Sequence, residues 1–287
     1  MDRKILTFLY TILVAFLFSS CEKDANIPVP EEDPKLVVYS YISPSDTLVR
    51  VSVSQSVPIF GNNNTGETVP VTNATVVISS PAGSHTLTYD PYLEQYSIHG
   101  DSIHVTAGQT YSLTVSAPGF ETVSASTTVP QLNNFNFQVN ETAAHPVSVY
   151  NGNTIPRWYS YNIRFTHFNN SDYYRVIPAY YKVYPGYPDS LENEYGALLY
   201  DYNKVSGGMI TDNIDVYTDI VSEPHPDPYG VKLHLVISTQ DYHKFHSSLQ
   251  NYSYGDPFAE PSLIYTNMTN GYGIFAGYLQ ETVQIHY

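Results

Sequence analysis

AGQTYSLTVSAPGF, residues 107–120, holds a glycine turn, a tyrosine and a short run in which Tyr111, Leu113 and Val115 alternate with small polar residues. Alternation of period two puts every second side chain on one face, as a half-buried antiparallel strand requires. Working outward, the same pattern recurs in LVVYSYI (36–42), TLVRVSVSQ (47–55), ATVVISS (74–80), HTLTY (85–89), EQYSIH (94–99) and ETVSASTTV (121–129). Turn residues separate the runs: SPSD, PAGS, DPY, AGQ and PGF. β-Branched and aromatic residues between such breaks predict strands.

Seven short strands within residues 35–130 fit a β-sandwich of immunoglobulin type. The AGQTY segment resembles the tyrosine corner of immunoglobulin-like and fibronectin-like domains, which implies that the Tyr111 hydroxyl ties back to a nearby backbone group. The chain has one cysteine, so no disulfide pins the two sheets.

Beyond Pro130 the composition shifts: 21 of the 28 tyrosines follow it. WYSYNIRFTHF (158–168), YYRVIPAYYKVY (173–184), VKLHLVIST (231–239) and GIFAGYLQETVQI (273–285) predict longer strands. One helix is expected, in STQDYHKFHSSLQ (238–250). There Ser238 and Asp241 form a capping-box pattern, and Tyr242, Phe245 and Leu249 share a face. The fold class expected is therefore mainly β: an N-terminal immunoglobulin-like β-sandwich, then a tyrosine-rich β-domain over 131–287 with one short helix.

The N-terminus bears on location. Arg3 and Lys4 precede fourteen uncharged residues, Ile5 to Phe18. That run is short of the ~20 apolar residues of a membrane span and suits a secretory signal over residues 1–20. Ser19 and Ser20 precede Cys21, which resembles the lipobox of bacterial lipoproteins, with Phe18 where leucine is usual. The resemblance implies cleavage before Cys21 and diacylation of its thiol. EKDANIPVPEEDP (22–34), with three prolines and six charges, reads as a solvated tether within a lipidated segment 21–34.

Twelve basic residues stand against 27 acidic ones, a formal net charge of −15. Such a surface excludes nucleic acid as a partner, since that affinity rests on clustered basic groups, and it offers no polybasic patch to lipid. Membrane attachment would rest on the acyl chains of Cys21.

No reaction is legible. Asp241, His243 and His246 fall within one or two helical turns, but a zinc site needs further ligands and a supporting shell. His99, Asp101 and His104 flank a glycine, and Glu223, His225 and Asp227 sit in a proline-rich stretch; both read as polar loops. Asp212, Asp215 and Asp219 lack the spacing of a twelve-residue calcium loop. Carboxylate pairs such as Glu192 with Glu194 arise from acidic composition alone. No serine elbow or phosphate loop is present. Neither a catalytic residue, a metal nor a cofactor is expected. Three triplets, D-T-L, D-S-I and D-S-L, resemble the acceptor for periplasmic O-glycosylation, which would modify Thr47, Ser102 and Ser190. The tyrosine surplus suits core, protein interface or ligand platform alike.

The stretch ISTQDYHKFHSSLQNYSYGDPFAEPSLIYTNMTNGYGIFAGY, with LVVYSYI, AGQTYSLTV, SASTTVP, SDYYRV and DYNKVSGG before it, resembles an uncharacterised family of Bacteroidetes-type outer-membrane lipoproteins. That family is known as a domain of unknown function, often encoded beside TonB-dependent receptors. The resemblance implies a lipid-anchored outer-membrane protein, on the periplasmic or the surface face, associated with a β-barrel transporter; the acidic surface, rich in tyrosine and poor in lysine, suits an accessory interaction module that is not an enzyme. A glycan-binding or other ligand-binding surface lipoprotein, taking a glycan or peptide, is the alternative.

Overall fold

The computed structural model describes residues 33–57, 68–131, 136–150, 153–166, 173–182, 191–194, 196–201, 208–217, 229–250, 252 and 263–286. The fold is mainly β, a sandwich with one short helix beyond a single helical turn. The first part contains β1 (Leu36–Ile42), β2 (Leu48–Gln55), β3 (Val69–Pro70), β4 (Thr75–Ser80), β5 (Gly83–Asp90), β6 (Gln95–His99), the turn α1 (Gly100–Ile103), β7 (Thr110–Ser116) and β8 (Val123–Thr128). Each of the seven runs read before Pro130 is a strand, with boundaries within two residues; WYSYNIRFTHF is a strand that starts five residues earlier, at Asn153. Then come β9 (Phe137–Tyr150), β10 (Asn153–Thr166), β11 (Tyr173–Lys182), β12 (Leu191–Glu194), β13 (Leu198–Tyr200), β14 (Met209–Tyr217), β15 (Tyr229–Ser238), α2 (Gln240–Gln250) and β16 (Tyr272–His286). No helix among the described residues is long and apolar enough to cross a membrane.

The long sheet runs β12-β11-β15-β16-β1-β2-β6-β5-β4-β7-β8, and a second sheet runs β14-β10-β9. The two parts of the sequence on either side of Pro130 share the long sheet. β16 lies parallel to β1 and antiparallel to β15, so the C-terminal strand joins them. The sheet also curls until β8 meets the β16 end: Thr269 N–H donates to Ser124 O at 2.8 Å, and Gly277 N–H to the Thr127 hydroxyl at 2.8 Å. Inside the curl lies one core, from Val38, Ile42, Val51, Ile78 and Leu113 to Phe275.

Tyr111 is 1% exposed, and its hydroxyl accepts the Thr106 N–H at 2.8 Å and lies 3.4 Å from His104 O. The tie between a tyrosine and the backbone a few residues upstream is the one its resemblance implied. Tyr96 makes a long-range tie to the segment before β4, donating to Val71 O at 2.8 Å and accepting from Ala74 N–H at 2.7 Å.

The β14-β10-β9 sheet packs over β11 and β15 through a core that includes Tyr161, Ile163, Phe165, Tyr174, Val216 and Leu235. On the other face of β15 and β16 sits α2, with Tyr242 and Phe245 against Val236, Ile274 and Ala276. Strands β11 and β15 are thus covered on both sides. The helix is capped differently from the sequence expectation. Ser238 still belongs to β15 and donates to Tyr173 O, whereas Thr239 accepts the Tyr242 N–H at 3.4 Å. Asp241, freed from capping, accepts the Tyr265 hydroxyl at 2.5 Å. Leu249 is 39% exposed and does not share the buried face of Tyr242 and Phe245.

Candidate functional site

Among the described residues, α2 covers part of the face of β16-β1-β2-β6. Tyr39 packs on Phe245 with ring centroids 5.8 Å apart, and Tyr41 on Tyr242 at 5.3 Å. Past the helix a groove of about 500 Å³ remains open, with Tyr39, Tyr41 and Tyr278 as its aromatic walls and Arg50, Ser52 and Gln95 along its floor. These residues meet because β1 and β2 pair with Tyr39 opposite Ser52, and β2 and β6 with Val51 opposite Tyr96. Alternation then sends Arg50, Ser52 and Gln95 to the face on which Tyr39 and Tyr41 stand.

The rim is the β1–β2 turn. Asp46 N–H donates to Ser43 O at 3.1 Å, and Ser43 N–H donates to Asp46 Oδ2 at 2.7 Å, which closes the turn. The other carboxylate oxygen accepts the Tyr278 hydroxyl at 2.7 Å, tying the C-terminal strand to the first hairpin. Burial pushes Asp46 above the ordinary 3.8, against the opposing pull of Tyr278, Ser43 and Arg50. Burial, then the Asp46 charge, raises Tyr278 as well. The groove thus offers one acid, one exposed guanidinium and three ring surfaces.

A pH dependence follows. The folded chain holds the Asp46 proton more tightly than the unfolded chain, so this group's stabilisation is full below 3.8 and is lost as pH rises through its raised value. Asp46→Asn stays neutral and keeps an acceptor for Tyr278. Denaturation of both proteins across the acid range is expected to show the variant gaining on the parent as pH rises through that interval. A difference that stays constant with pH would contradict the buried-carboxylate reading.

The α2 histidines form no ligand set. His246 is wedged between Tyr242, 4.3 Å away by ring centroid, and Tyr41, on which it stacks at 22°. Burial, then Arg175 and His243, hold it down at about 3, so it is neutral. Asp241 is engaged by Tyr265 and Asn267. Among the described residues no three His, Cys, Asp or Glu side chains converge for a metal. His99 and Asp101 make an exposed pair at 3.4 Å. Asp212 accepts from Tyr200 at 2.9 Å. Glu223, His225, Asp227 and Asp219 lie outside the described residues.

A serine, a histidine and an aspartate do meet on the outer face of β10. Ser160 donates its proton to Asp215 Oδ1 at 2.6 Å, so His145 Nε2, 2.9 Å from the same hydroxyl, must donate to it. Serine activation requires the imidazole to accept that proton and the carboxylate to orient the imidazole. Here the order is inverted, with serine between the other two. The sequence did not indicate this trio, nor the ring contacts beside it: their residues are far apart in the chain and only strand register joins them.

Thr47 and Ser102 are both exposed. The two triplets are neighbours, since Gly100 N–H donates to Thr47 O at 2.9 Å. Ser190 and Cys21 lie outside the described residues.

No curated protein matches the sequence. Among solved structures, a mutant of Salmonella alpha-2-macroglobulin is similar at 8% identity and a TM-score of 0.26, covering 93% of this chain. The chain spans about 15% of that protein's length. CBD12 from CALX1.2 is similar at 10% identity and a TM-score of 0.20, covering 75% of this chain and 87% of its own. The family comparison is of another order, since its model matches nearly end to end. Across residues 22–284 the chain belongs to the family described as Domain of unknown function (DUF4249).

Proposed function

We propose that the protein is a non-enzymatic, lipid-anchored binding protein of the outer membrane, accessory to a TonB-dependent β-barrel transporter in uptake or surface assembly. The observation that carries a binding role is the groove beside α2. It sets three tyrosine rings around one carboxylate and one guanidinium, and rings with a polar tip suit contact with a partner better than covalent chemistry. The anchor rests on sequence: an apolar run, two small residues, Cys21 and a proline-rich acidic tether. Bacteroidetes-type membership and the transporter partner rest on the resemblance given above.

Cys21→Ala tests the anchor. The parent is expected in the membrane fraction, with an N-terminal peptide that carries acyl chains on Cys21 by mass spectrometry. The variant is expected in the soluble fraction. A parent whose mature Cys21 is unacylated would remove the anchor. The same native sample reads the glycosylation triplets, since Thr47 and Ser102 would add sugar increments to their peptides.

A second reading, a surface lipoprotein that binds a glycan or peptide ligand directly, is favoured by the volume of the groove. About 500 Å³ is within the usual range for small-molecule sites, ~300–1,000 Å³.

A further inference from the structure

Among the described residues, no element covers the outer face of the β14-β10-β9 sheet, and its side chains are arranged in rows. β10 points Tyr159, Tyr161, Ile163 and Phe165 into the core, so alternation turns Trp158, Ser160, Asn162 and Arg164 outward. Register then fixes their neighbours. Trp158 lies between His145 and Tyr217, and Asn162 between Asn140 and Asn213.

The first row is aromatic. The His145 ring stacks on the indole at 4.8 Å and 15°, which fixes the indole plane. Tyr217, 50% exposed, stands 6.0 Å from the indole and tilted by 36°. Trp158 is the only tryptophan in the chain. Beyond it come the Ser160–Asp215 pair and then a row of asparagines, in which Asn162 Nδ2 donates to Asn213 Oδ1 at 3.0 Å. Arg164 closes the sequence. From Trp158 to Arg164 is six residues of strand, roughly 20 Å.

The chemistry narrows the occupant. Amide side chains carry a donor and an acceptor side by side, which matches a ligand whose neighbouring groups are each both donor and acceptor. The aromatic row offers ring surface to something with an apolar face. In a chain of net charge −15, the rows described here carry one acid, Asp215, and one base, Arg164, so they favour neither strong anions nor strong cations. Hydroxyls on a ring with an apolar C–H face, repeated along a chain and uncharged, satisfy all three conditions.

We infer that the outer face of β9, β10 and β14 is a binding platform for a neutral oligosaccharide, with Trp158 and Tyr217 against the sugar ring and Asn162, Asn213 and Asp215 on its hydroxyls. The platform rests on the ligand-binding reading above, but it is a different surface from the groove. His145 and Ser160 are positioning residues there: one fixes the indole, the other the Asp215 carboxylate.

The sole tryptophan makes its fluorescence a direct reporter of this face. The full chain, solubilised in a detergent without a sugar headgroup, is titrated with neutral hexasaccharides built from glucose, mannose, xylose or galactose, with calorimetry alongside. A saturable change in emission with at least one of them is expected, weakened at least tenfold by Asn213→Ala and abolished by Tyr217→Ala. Both positions are exposed, so the variants are expected to fold, which far-UV circular dichroism checks. No saturable change with any hexasaccharide overturns the inference. So does binding that survives Asn213→Ala but is lost on Arg50→Ala, which would put the ligand in the groove. An emission change that follows protein concentration without sugar would make this face a contact between copies, and would overturn it too.

Discussion

Gly273→Ala is expected to lower stability by roughly 3 kcal/mol or more, through left-handed strain and overpacking together. Gly273 has φ +112, and a Cβ there would lie 1.9 Å from Val38 O and 2.7 Å from Val38 C. The obstacle is backbone, in the strand that Gly273 itself pairs with. Neither strand can withdraw without giving up the parallel β1–β16 ladder that joins the two parts of the long sheet. The effect should appear as a fall of about 6–12 °C in Tm. Gly119→Ala is the control: its φ of +84 brings strain, but nothing lies within 4 Å of the added carbon. Equal losses from the two variants would mean that the close approach of β1 and β16 contributes nothing.

Tyr161→Ala should cost about 3–5 kcal/mol, the range for removing a large buried ring. Tyr161 is 0% exposed and sits in the core between the two sheets. Tyr92→Ala should change stability by no more than about 0.5 kcal/mol, because Tyr92 is 97% exposed. Chemical denaturation of the pair weighs how the tyrosine surplus is used. Tyr159, Tyr161, Tyr174, Tyr180, Tyr181 and Tyr200 are all buried, so much of it fills the core. What is left for binding is a small set, Tyr39 at 39% and Tyr217 at 50% among them. A small loss at Tyr161 would contradict this division.

The sequence made the local features legible. Alternation in residues 36–42 and 110–116 is a property of each strand alone, and the Tyr111 tie spans five residues. Features made by distant pairing were not. β1 takes as its parallel partner the last strand of the chain, a choice that no local pattern encodes. YYRVIPAYYK suggests one wet face, yet Tyr180 and Tyr181 are both buried because β11 is covered on both sides. The groove followed the same rule: Asp46 was visible as a turn residue and within a glycosylation-like triplet, but its partner Tyr278 stands at the other end of the sequence. The row of His145, Trp158 and Tyr217 needed the register of three strands. The helix cap moved by one residue because Ser238 was needed to finish β15, a tertiary demand that outweighs a cap preference.

The proposed function requires that the chain work anchored beside a transporter. The decisive experiment is affinity purification of the full chain, tagged after Tyr287, from the membranes of its native cells. A TonB-dependent β-barrel is expected to copurify in near-stoichiometric amount, and Cys21→Ala is expected to abolish its recovery. Recovery of the acylated chain with no barrel protein would contradict it.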